Sequence, residues 1–327
     1  MRNAPPAVSR PLTLLLSALT FFAAGACSAR TAPQATSSHA SHPAIVLSDA
    51  WKAYWYRGLA EISSYTLEQA RYGEIHRGEA ALIFVTEDFS ASKQVKLDRP
   101  DAAPTGDRIP VLKLNLTKKF ATGIYPYSLM TSVFSPVDGG ATLKVSTSGQ
   151  EWCGHIYTQL NLSKDKGRPY RLRSFSYFES EVEEDRSLEG AWLEDELWNR
   201  LRLDPSTLPQ GQFRVIPSTL FGRLHHHPLA TVDATAKLDE TQNETFGLGA
   251  LWRYRVEFQE PEPRTLTIYF ESAFPHRILG WEEAYADGFG QPKPLVTRAV
   301  RKKSIEIDYW NRHDNADAPL RKELGLE

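Results

Sequence analysis

The sequence has few cysteines, little net charge and no familiar catalytic motif. Cys27 and Cys153 are the two cysteines among 327 residues, so at most one disulfide can form. The formal net charge of −2 gives no basic field for nucleic acid. A Gly-x-Ser-x-Gly elbow, a His-Glu-x-x-His pair and a phosphate-binding loop are all missing. These absences argue against nucleic-acid binding and against the enzyme classes that use those motifs.

The N-terminus has the layout of an export signal. Arg2 and Arg10 carry the only charges among the first 29 residues, and residues 11–26 (PLTLLLSALTFFAAGA) are uncharged. That segment is shorter than the roughly 18 to 20 apolar residues of a spanning helix. It ends in AGA at residues 24–26, small residues that suit an ordinary signal-peptidase cut. The pattern predicts a signal peptide over residues 1–26.

Cys27 follows this cut and is the candidate lipid anchor. The string AGAC resembles the bacterial lipobox, with Ala24 standing where that motif usually has Leu. The resemblance implies that Cys27 becomes the lipidated first residue of the mature chain. Ser28 after it implies an outer-membrane anchor facing the periplasm. If the ordinary peptidase cuts instead, a free Cys27 could pair with Cys153.

The remaining chain divides into a tether and a domain. Residues 27–46 are rich in Ser, Ala, Thr and Pro and lack runs of large apolar side chains, which predicts a flexible tether. Residues 47–327, about 280 residues, predict a single β-rich domain. Aromatic residues make up 11% of the chain, which is enough for either a packed core or an apolar cavity.

Hydrophobic periodicity predicts the fold class. Residues 48–60 have apolar residues at helical spacing after a Ser that can cap a helix. From residue 61 the period changes to two, with a hairpin turn near residues 73–78. A second helix is predicted over residues 187–203, with Leu at every fourth position and charged side chains on its other faces. Since strands and helices do not alternate, we expect a large curved antiparallel sheet, a half-barrel or open barrel, with one or two inserted helices.

Two segments resemble exported bacterial half-barrel proteins. Residues 266–283 (LTIYFESAFPHRILGWEE) are similar to a late hairpin of the LolA/LolB type and of the DUF3108 family. Residues 201–218 (LRLDPSTLPQGQFRVIPS) are similar to their central loop. The resemblance implies a LolA-like curved sheet of long antiparallel strands around a helix.

Other blocks resemble bacterial lipoproteins of unknown role. They are TLEQARYGEIHRGEA, LTKKFATGIYPYS and QEWCGH. Some such proteins bear the name septum formation inhibitor Maf, but true Maf proteins are nucleotide pyrophosphatases with an early Ser-x-Ser-Pro-Arg-Arg loop. The nearest string here, SVFSPVDGG, has no arginines, so that activity is not indicated.

The segment TKKFATGIYPYS places cations among aromatic side chains. Lys118, Lys119, Tyr125 and Tyr127 are the residues concerned. Cations beside aromatic rings can bind lipid headgroups, sugars or anionic polymers. We therefore include these four residues in a candidate ligand site.

The segment QEWCGHIY, interpreted as one strand, places Glu151, Cys153 and His155 on one face. A Cys–His pair can generate a thiolate nucleophile. Residues i and i+2 lie roughly 6.5 to 7 Å apart along a strand, however, which is too far for direct hydrogen bonding. We therefore expect a structural polar cluster first and a ligand-facing cluster second.

The string RLHHHPL contains three consecutive histidines. If the segment is a strand, only His225 and His227 share a face and could bind one metal ion, with a carboxylate from elsewhere completing the site. The alternative is an exposed loop or sheet rim without metal.

Together these patterns predict a non-catalytic cell-envelope lipoprotein, bound to the membrane through Cys27 and needing no cofactor. It would hold a lipid or another apolar ligand in its curved sheet and would not bind nucleic acid. One alternative is an envelope scaffold or interaction module whose protein partner is unknown. A second is a metal-dependent hydrolase that uses His155, Glu151 or the His225–His227 pair.

Overall fold

The computed structural model describes residues 42–163, 169–181 and 183–326. The signal peptide predicted over residues 1–26, Cys27 and the tether up to residue 41 lie outside the described residues. In the described ranges, no helix is both long and apolar enough to cross a membrane.

The described chain forms one sheet of fifteen strands and several helices. The strands are β1 (Ala60–Arg71), β2 (Glu74–Ser90), β3 (Arg108–Thr122), β4 (Tyr125–Pro136), β5 (Lys144–Glu151), β6 (Gly154–Leu162), β7 (Tyr170–Phe175), β8 (Glu184–Leu188), β9 (Trp192–Leu193), β10 (Gly211–Ile216), β11 (Val232–Thr241), β12 (Leu251–Phe258), β13 (Arg264–Phe270), β14 (Ile278–Asp287) and β15 (Lys293–Ile307). The α-helices are α1 (Asp49–Trp55), α2 (Glu194–Leu203), α3 (Thr219–Leu224) and α4 (Pro319–Glu323).

The sheet is antiparallel and open, which confirms the predicted fold class. Its order is β8-β7-β6-β5-β4-β3-β2-β1-β15-β14-β13-β12-β11-β10-β9, and the short β9–β10 pair is parallel. Strands β8 and β9 form opposite edges, yet residues 189–191 alone connect them. A connection of this length spans at most about 14 Å. The sheet must therefore curve until its two edges come close together.

Strand β3 shows how the alternating sequence builds the interior. Leu112, Leu114 and Leu116 are buried in the main core, whereas Lys113 between them is only partly buried. This confirms the predicted alternation. The same period carries Lys118 onto the leucine face, where it is also buried.

Helix α1 confirms the predicted N-terminal cap but is shorter than expected. The backbone N–H of Trp51 donates to the Ser48 hydroxyl oxygen over 3.1 Å, and Trp51 and Trp55 are buried. The helix ends at Trp55 rather than at residue 60, because Ala60 already begins β1.

Helix α2 lies in the interior of the curved sheet. It begins at Glu194 rather than at residue 187, because β8 and β9 occupy much of the preceding segment. All ten of its residues are buried, including Asp195 and Arg200. We expected these charged side chains on faces of the helix other than the leucine face, and those faces are buried as well.

Two of the charges of α2 are paired with groups from distant strands. Arg202 donates to both carboxylate oxygens of Glu61 over 2.6 and 2.7 Å. Arg264 donates to Glu194 over 2.7 Å. Buried charges are tolerated when they are paired and hydrogen-bonded in this way. The interior is thus filled by a helix that ion pairs fix to the sheet.

The domain begins before residue 47. A ring nitrogen of His42 lies 2.8 Å from a Glu196 carboxylate oxygen, and the buried Ile45 donates its N–H to the Asp138 carbonyl over 2.8 Å. The predicted tether boundary at residue 46 is therefore too late, because His42 contacts α2 and Ile45 contacts the turn after β4.

Candidate functional site

Several connections meet at one end of the sheet, which we call the rim. Strand register places the ends of β1, β3, β5, β7, β12 and β14 there. The segment after α3 joins them, since it leads into the start of β11 beside the end of β12. The rim exposes large apolar side chains on several of its turns: Tyr72, Ile124, Trp152, Tyr177 and Phe289. Apolar side chains gathered at one end of a domain are typical of a binding surface.

A cleft of about 350 Å³ opens at the rim, and we call it the rim cleft. Its walls come from β1, β3–β6, α3 and the turns around them. The lining side chains include Arg71, Tyr72, Tyr125, Tyr127, Leu129, Glu151, Cys153, Phe178, Arg223, Leu224, His226 and Phe289. Four of the sequence-predicted residues, namely Tyr125, Tyr127, Glu151 and Cys153, therefore lie together.

Tyr72 reaches the cleft through a tight hairpin turn. Tyr72 and Gly73 have φ angles of 57° and 78°, the pattern of a type I′ turn. A left-handed backbone conformation is strained for an aromatic residue, and such strained residues cluster at functional sites. The Tyr72 hydroxyl lies 2.6 Å from the Tyr127 hydroxyl, and its ring stacks on Phe289 at 5.4 Å between centroids.

The segment around Cys153 forms a hairpin turn rather than the single strand that we expected. Strand β5 ends at Glu151 and β6 begins at Gly154. The Tyr125 hydroxyl donates to Glu151 over 2.9 Å and accepts from the Cys153 N–H over 2.9 Å. His155 is exposed on β6 and does not line the cleft. The turn therefore separates the Cys–His pair instead of assembling a nucleophile.

The two lysines of the predicted Lys/Tyr patch point in opposite directions. Lys118 is buried with its Nζ 3.5 Å from a Glu283 carboxylate oxygen, whereas Lys119 is exposed. Adjacent residues of a strand face opposite sides of the sheet. Neither lysine lines the rim cleft.

The cations of the rim cleft are two arginines held over aromatic rings. The Arg71 guanidinium lies 4.4 Å from the Tyr72 ring centroid, and that of Arg223 lies 4.8 Å from Phe178. Arg223 also lies 3.7 Å from Glu151 and forms an ion pair with Glu181. The rings and the Arg71 guanidinium can accommodate an amphipathic molecule, with its apolar part on the rings and its polar part at Arg71.

Beside α2, the described residues leave little room for a ligand in the interior. A cavity of about 30 Å³ lies beside α2 and is lined in part by Lys118, Asp195 and Glu283. That volume is close to the share of one water molecule. The expected ligand position inside the curved sheet is therefore less suitable than the rim cleft.

The three histidines follow α3 instead of lying in a strand. His225 caps α3, and His226 has a φ of 56°, which turns the chain so that the rings of His225 and His227 stack at 6.1 Å. Glu262, between β12 and β13, lies 3.2 Å from His225 Nδ1 and 3.6 Å from His227 Nε2. His226 turns away and contacts Glu181. The carboxylate that we expected from elsewhere in the chain is present beside the predicted pair.

The sequence analysis missed those residues of the rim cleft and of the histidine cluster that come from distant turns. These residues are Arg71, Tyr72, Phe178, Arg223, Glu262 and Phe289. Two of them could have been found from the sequence: Tyr72 precedes a turn glycine, and Phe289 lies between two glycines. A large aromatic residue is uncommon in a tight turn, so its presence there indicates a possible binding role. Glu262 lies in the string EPEPR, which contains no comparable pattern.

No family model matches the chain, and no curated protein matches it. Among similar solved structures is a beta-barrel-like protein of the domain of unknown function DUF1849 from Brucella abortus. It has 9% sequence identity and a TM-score of 0.44, and the match covers 76% of this chain and 97% of that chain. The resemblance to the LolA/LolB and DUF3108 proteins stays a prediction.

Proposed function

We propose that the protein is a non-catalytic binding module of the cell envelope, which holds a lipid or another apolar small molecule in the rim cleft. The observation that carries this proposal is the aromatic and arginine lining of that cleft. Its volume of about 350 Å³ lies at the lower end of the range for small-molecule sites. A single acyl chain or a compact apolar molecule suits that size better than a whole phospholipid.

A ligand in the cleft would exploit contacts that are already arranged. Tyr72, Tyr127 and Phe289 offer ring surfaces, while Arg71 offers a guanidinium group for a carboxylate or phosphate head. Arg223 is already paired with Glu151 and Glu181. Hydrogen bonds between tyrosines and the stacking of Tyr72 on Phe289 hold these rings before a ligand arrives. Such preorganisation lowers the entropic cost of binding.

Replacing Phe289 by alanine tests the cleft. Phe289 is exposed, so the change should leave the fold intact while removing one aromatic wall. Losing its apolar contact should cost about 1 to 2 kcal/mol, or about 5- to 30-fold in affinity for a fluorescent fatty-acid probe. Leu248→Ala is the matched control, because Leu248 is an exposed apolar residue on a turn at the opposite end of the sheet. Equal affinities of both variants and the wild type would contradict the proposal.

The proposed anchor is Cys27, with the domain facing the periplasm from the outer membrane. Full-length protein expressed in a bacterium fed labelled palmitate should incorporate the label. Cys27→Ser should abolish incorporation, because no other thioether can then form at the predicted cut. Cys153→Ser is the control and should label like the wild type. Label that persists in Cys27→Ser would contradict lipidation at Cys27 but would not bear on ligand binding in the rim cleft.

A further inference from the structure

Three side chains that do not line the rim cleft place their potential metal-binding atoms close together. Their ligand atoms, from His225, His227 and Glu262, all lie within 4.8 Å of one another. The histidines come from the segment after α3, and the glutamate comes from the connection between β12 and β13. Two imidazoles and one carboxylate are a donor set found in zinc sites with an open fourth position.

The spacing of these atoms matches the edges of a coordination tetrahedron. Zinc lies about 2.0 to 2.1 Å from nitrogen or oxygen ligands, so neighbouring ligand atoms are about 3.3 Å apart. The Glu262 carboxylate oxygen lies 3.2 Å from His225 Nδ1 and 3.6 Å from His227 Nε2. Two of the three edges therefore already have nearly the length that a bound cation needs.

Hydrogen bonding within the described chain does not explain this convergence. His227 Nε2 and Glu262 Oε1 are buried atoms without a hydrogen-bond partner. Buried polar atoms almost always have a partner, and an unpaired carboxylate oxygen is especially costly. His226 differs, since its Nδ1 contacts Glu181 in an ordinary acid–base pair. A cation bound between His225, His227 and Glu262 would give a partner to both of these buried atoms, the His227 nitrogen and the Glu262 oxygen.

The two imidazoles supply the nitrogen donors of the cluster, and nearby charges affect whether a cation can bind between them. Metal ions bind the neutral imidazole. Arg264, a cation near His225, is paired with Glu194 and Glu283. Its charge is therefore largely compensated.

We propose that His225, His227 and Glu262 bind one zinc-like divalent cation. Nitrogen donors favour zinc over magnesium and calcium, which prefer oxygen ligands. His227 also lines a separate cavity of about 200 Å³. The cation would tie α3 to the β12–β13 connection. This proposal does not depend on a ligand in the rim cleft.

Zinc titration of the purified full-length chain tests the site. Metal is first removed with a chelator, and zinc is then added in competition with a chromophoric chelator. We expect one zinc per wild-type chain. His227→Ala and Glu262→Gln should each weaken binding by about 100-fold or more, since even residues that only support a ligand are worth about 10- to 100-fold. His313→Ala, at an exposed histidine, should bind like the wild type.

Cobalt substitution provides a second measurement. Cobalt in a four-coordinate nitrogen and oxygen site should give visible absorption that Glu262→Gln removes. His227 and Glu262 are partly exposed, so their variants should fold, which circular dichroism will verify. His225 stacks on buried Phe221 at 4.1 Å and is therefore a poorer test. A wild-type chain without stoichiometric zinc, or a Glu262→Gln variant with wild-type affinity, would overturn the proposal.

Discussion

Replacing Glu61 by glutamine is expected to lower the free energy of unfolding by about 3 to 5 kcal/mol. Glu61 and Arg202 form a two-bond ion pair in which each side chain is 1% exposed. Glutamine keeps a hydrogen-bond acceptor but removes the negative charge, so the Arg202 guanidinium is left buried without compensation. Urea denaturation followed by tryptophan fluorescence measures the loss.

The matched control is an exposed pair with similar geometry. Arg171 donates to both oxygens of Asp185, and both side chains are about half exposed. Asp185→Asn should cost less than about 1 kcal/mol, because water screens the pair and solvates the remaining charge. A double variant, Glu61→Gln with Arg202→Met, should recover much of the loss, since it removes the orphaned cation. Equal costs for Glu61→Gln and Asp185→Asn would contradict this explanation.

The same pair predicts the direction of an acid effect. Burial opposes ionisation of Glu61, but the charge and hydrogen bonds of Arg202 outweigh it and hold the pKa of the Glu61 carboxyl below its ordinary value. The unfolded chain then binds this proton more readily than the folded one. The stabilisation from Glu61 is therefore present above the ordinary glutamate pKa and is lost as the pH falls through the lower folded value.

Local sequence rules predicted the elements whose causes are local. The period of two in β3, the hairpin turn between β1 and β2, and the Ser48 cap of α1 each depend on a few neighbouring residues. The turn was expected near residues 73–78 and lies at Tyr72 and Gly73, so that β2 begins already at Glu74. The open antiparallel sheet followed from those elements together. Such features can be recognised because backbone sterics and short-range hydrogen bonds decide them.

Helix α2 could not be oriented from its own sequence. The pattern placed its charged residues on faces other than the leucine face, but it gave no sign that those faces are buried as well, because charges are rarely buried. Their partners, Glu61 for Arg202 and Arg264 for Glu194, lie 141 and 70 residues away. The start of α2 was misplaced because β8 and β9, whose pairing depends on distant strands, occupy much of the segment before it.

Only part of each candidate site could be predicted from the sequence, because the other residues come from distant segments. Tyr125 and Tyr127 are close in sequence, and so are His225 and His227, so a pattern could suggest them. Arg71 joins the cleft, and Glu262 joins the histidines, only because the sheet brings turns of separate hairpins to one rim. The face of each residue also depended on whether its segment was a strand or a turn.

Asp195 is expected to make the protein less stable as the pH rises from about 4 to about 6. Burial raises the pKa of the Asp195 carboxyl from 3.8 to about 6, against hydrogen bonds from Thr219, and nearby Glu194 raises it further. In this window the folded state therefore holds a proton that the unfolded state has released. Stability is highest when the carboxyl is protonated in both states and falls until it is ionised in both. A shift of about 2 units corresponds to about 3 kcal/mol.

Asp195→Asn isolates this effect, because the asparagine amide cannot ionise. In the wild-type protein Asp195 accepts hydrogen bonds from the Thr219 N–H over 3.0 Å and from the Thr219 hydroxyl over 2.8 Å, and the amide oxygen of asparagine can accept the same two bonds. The variant should match the wild type near pH 4 and exceed it by about 3 kcal/mol at pH 7, as measured by urea denaturation at each pH. Taking the difference between the two proteins cancels groups such as Glu61 that titrate in both. A constant difference from pH 4 to pH 7 would mean that Asp195 titrates outside this window. Because Asp195 lines the small interior cavity, a difference that grows with pH would also mean that α2 carries a buried, ionised carboxylate at neutral pH.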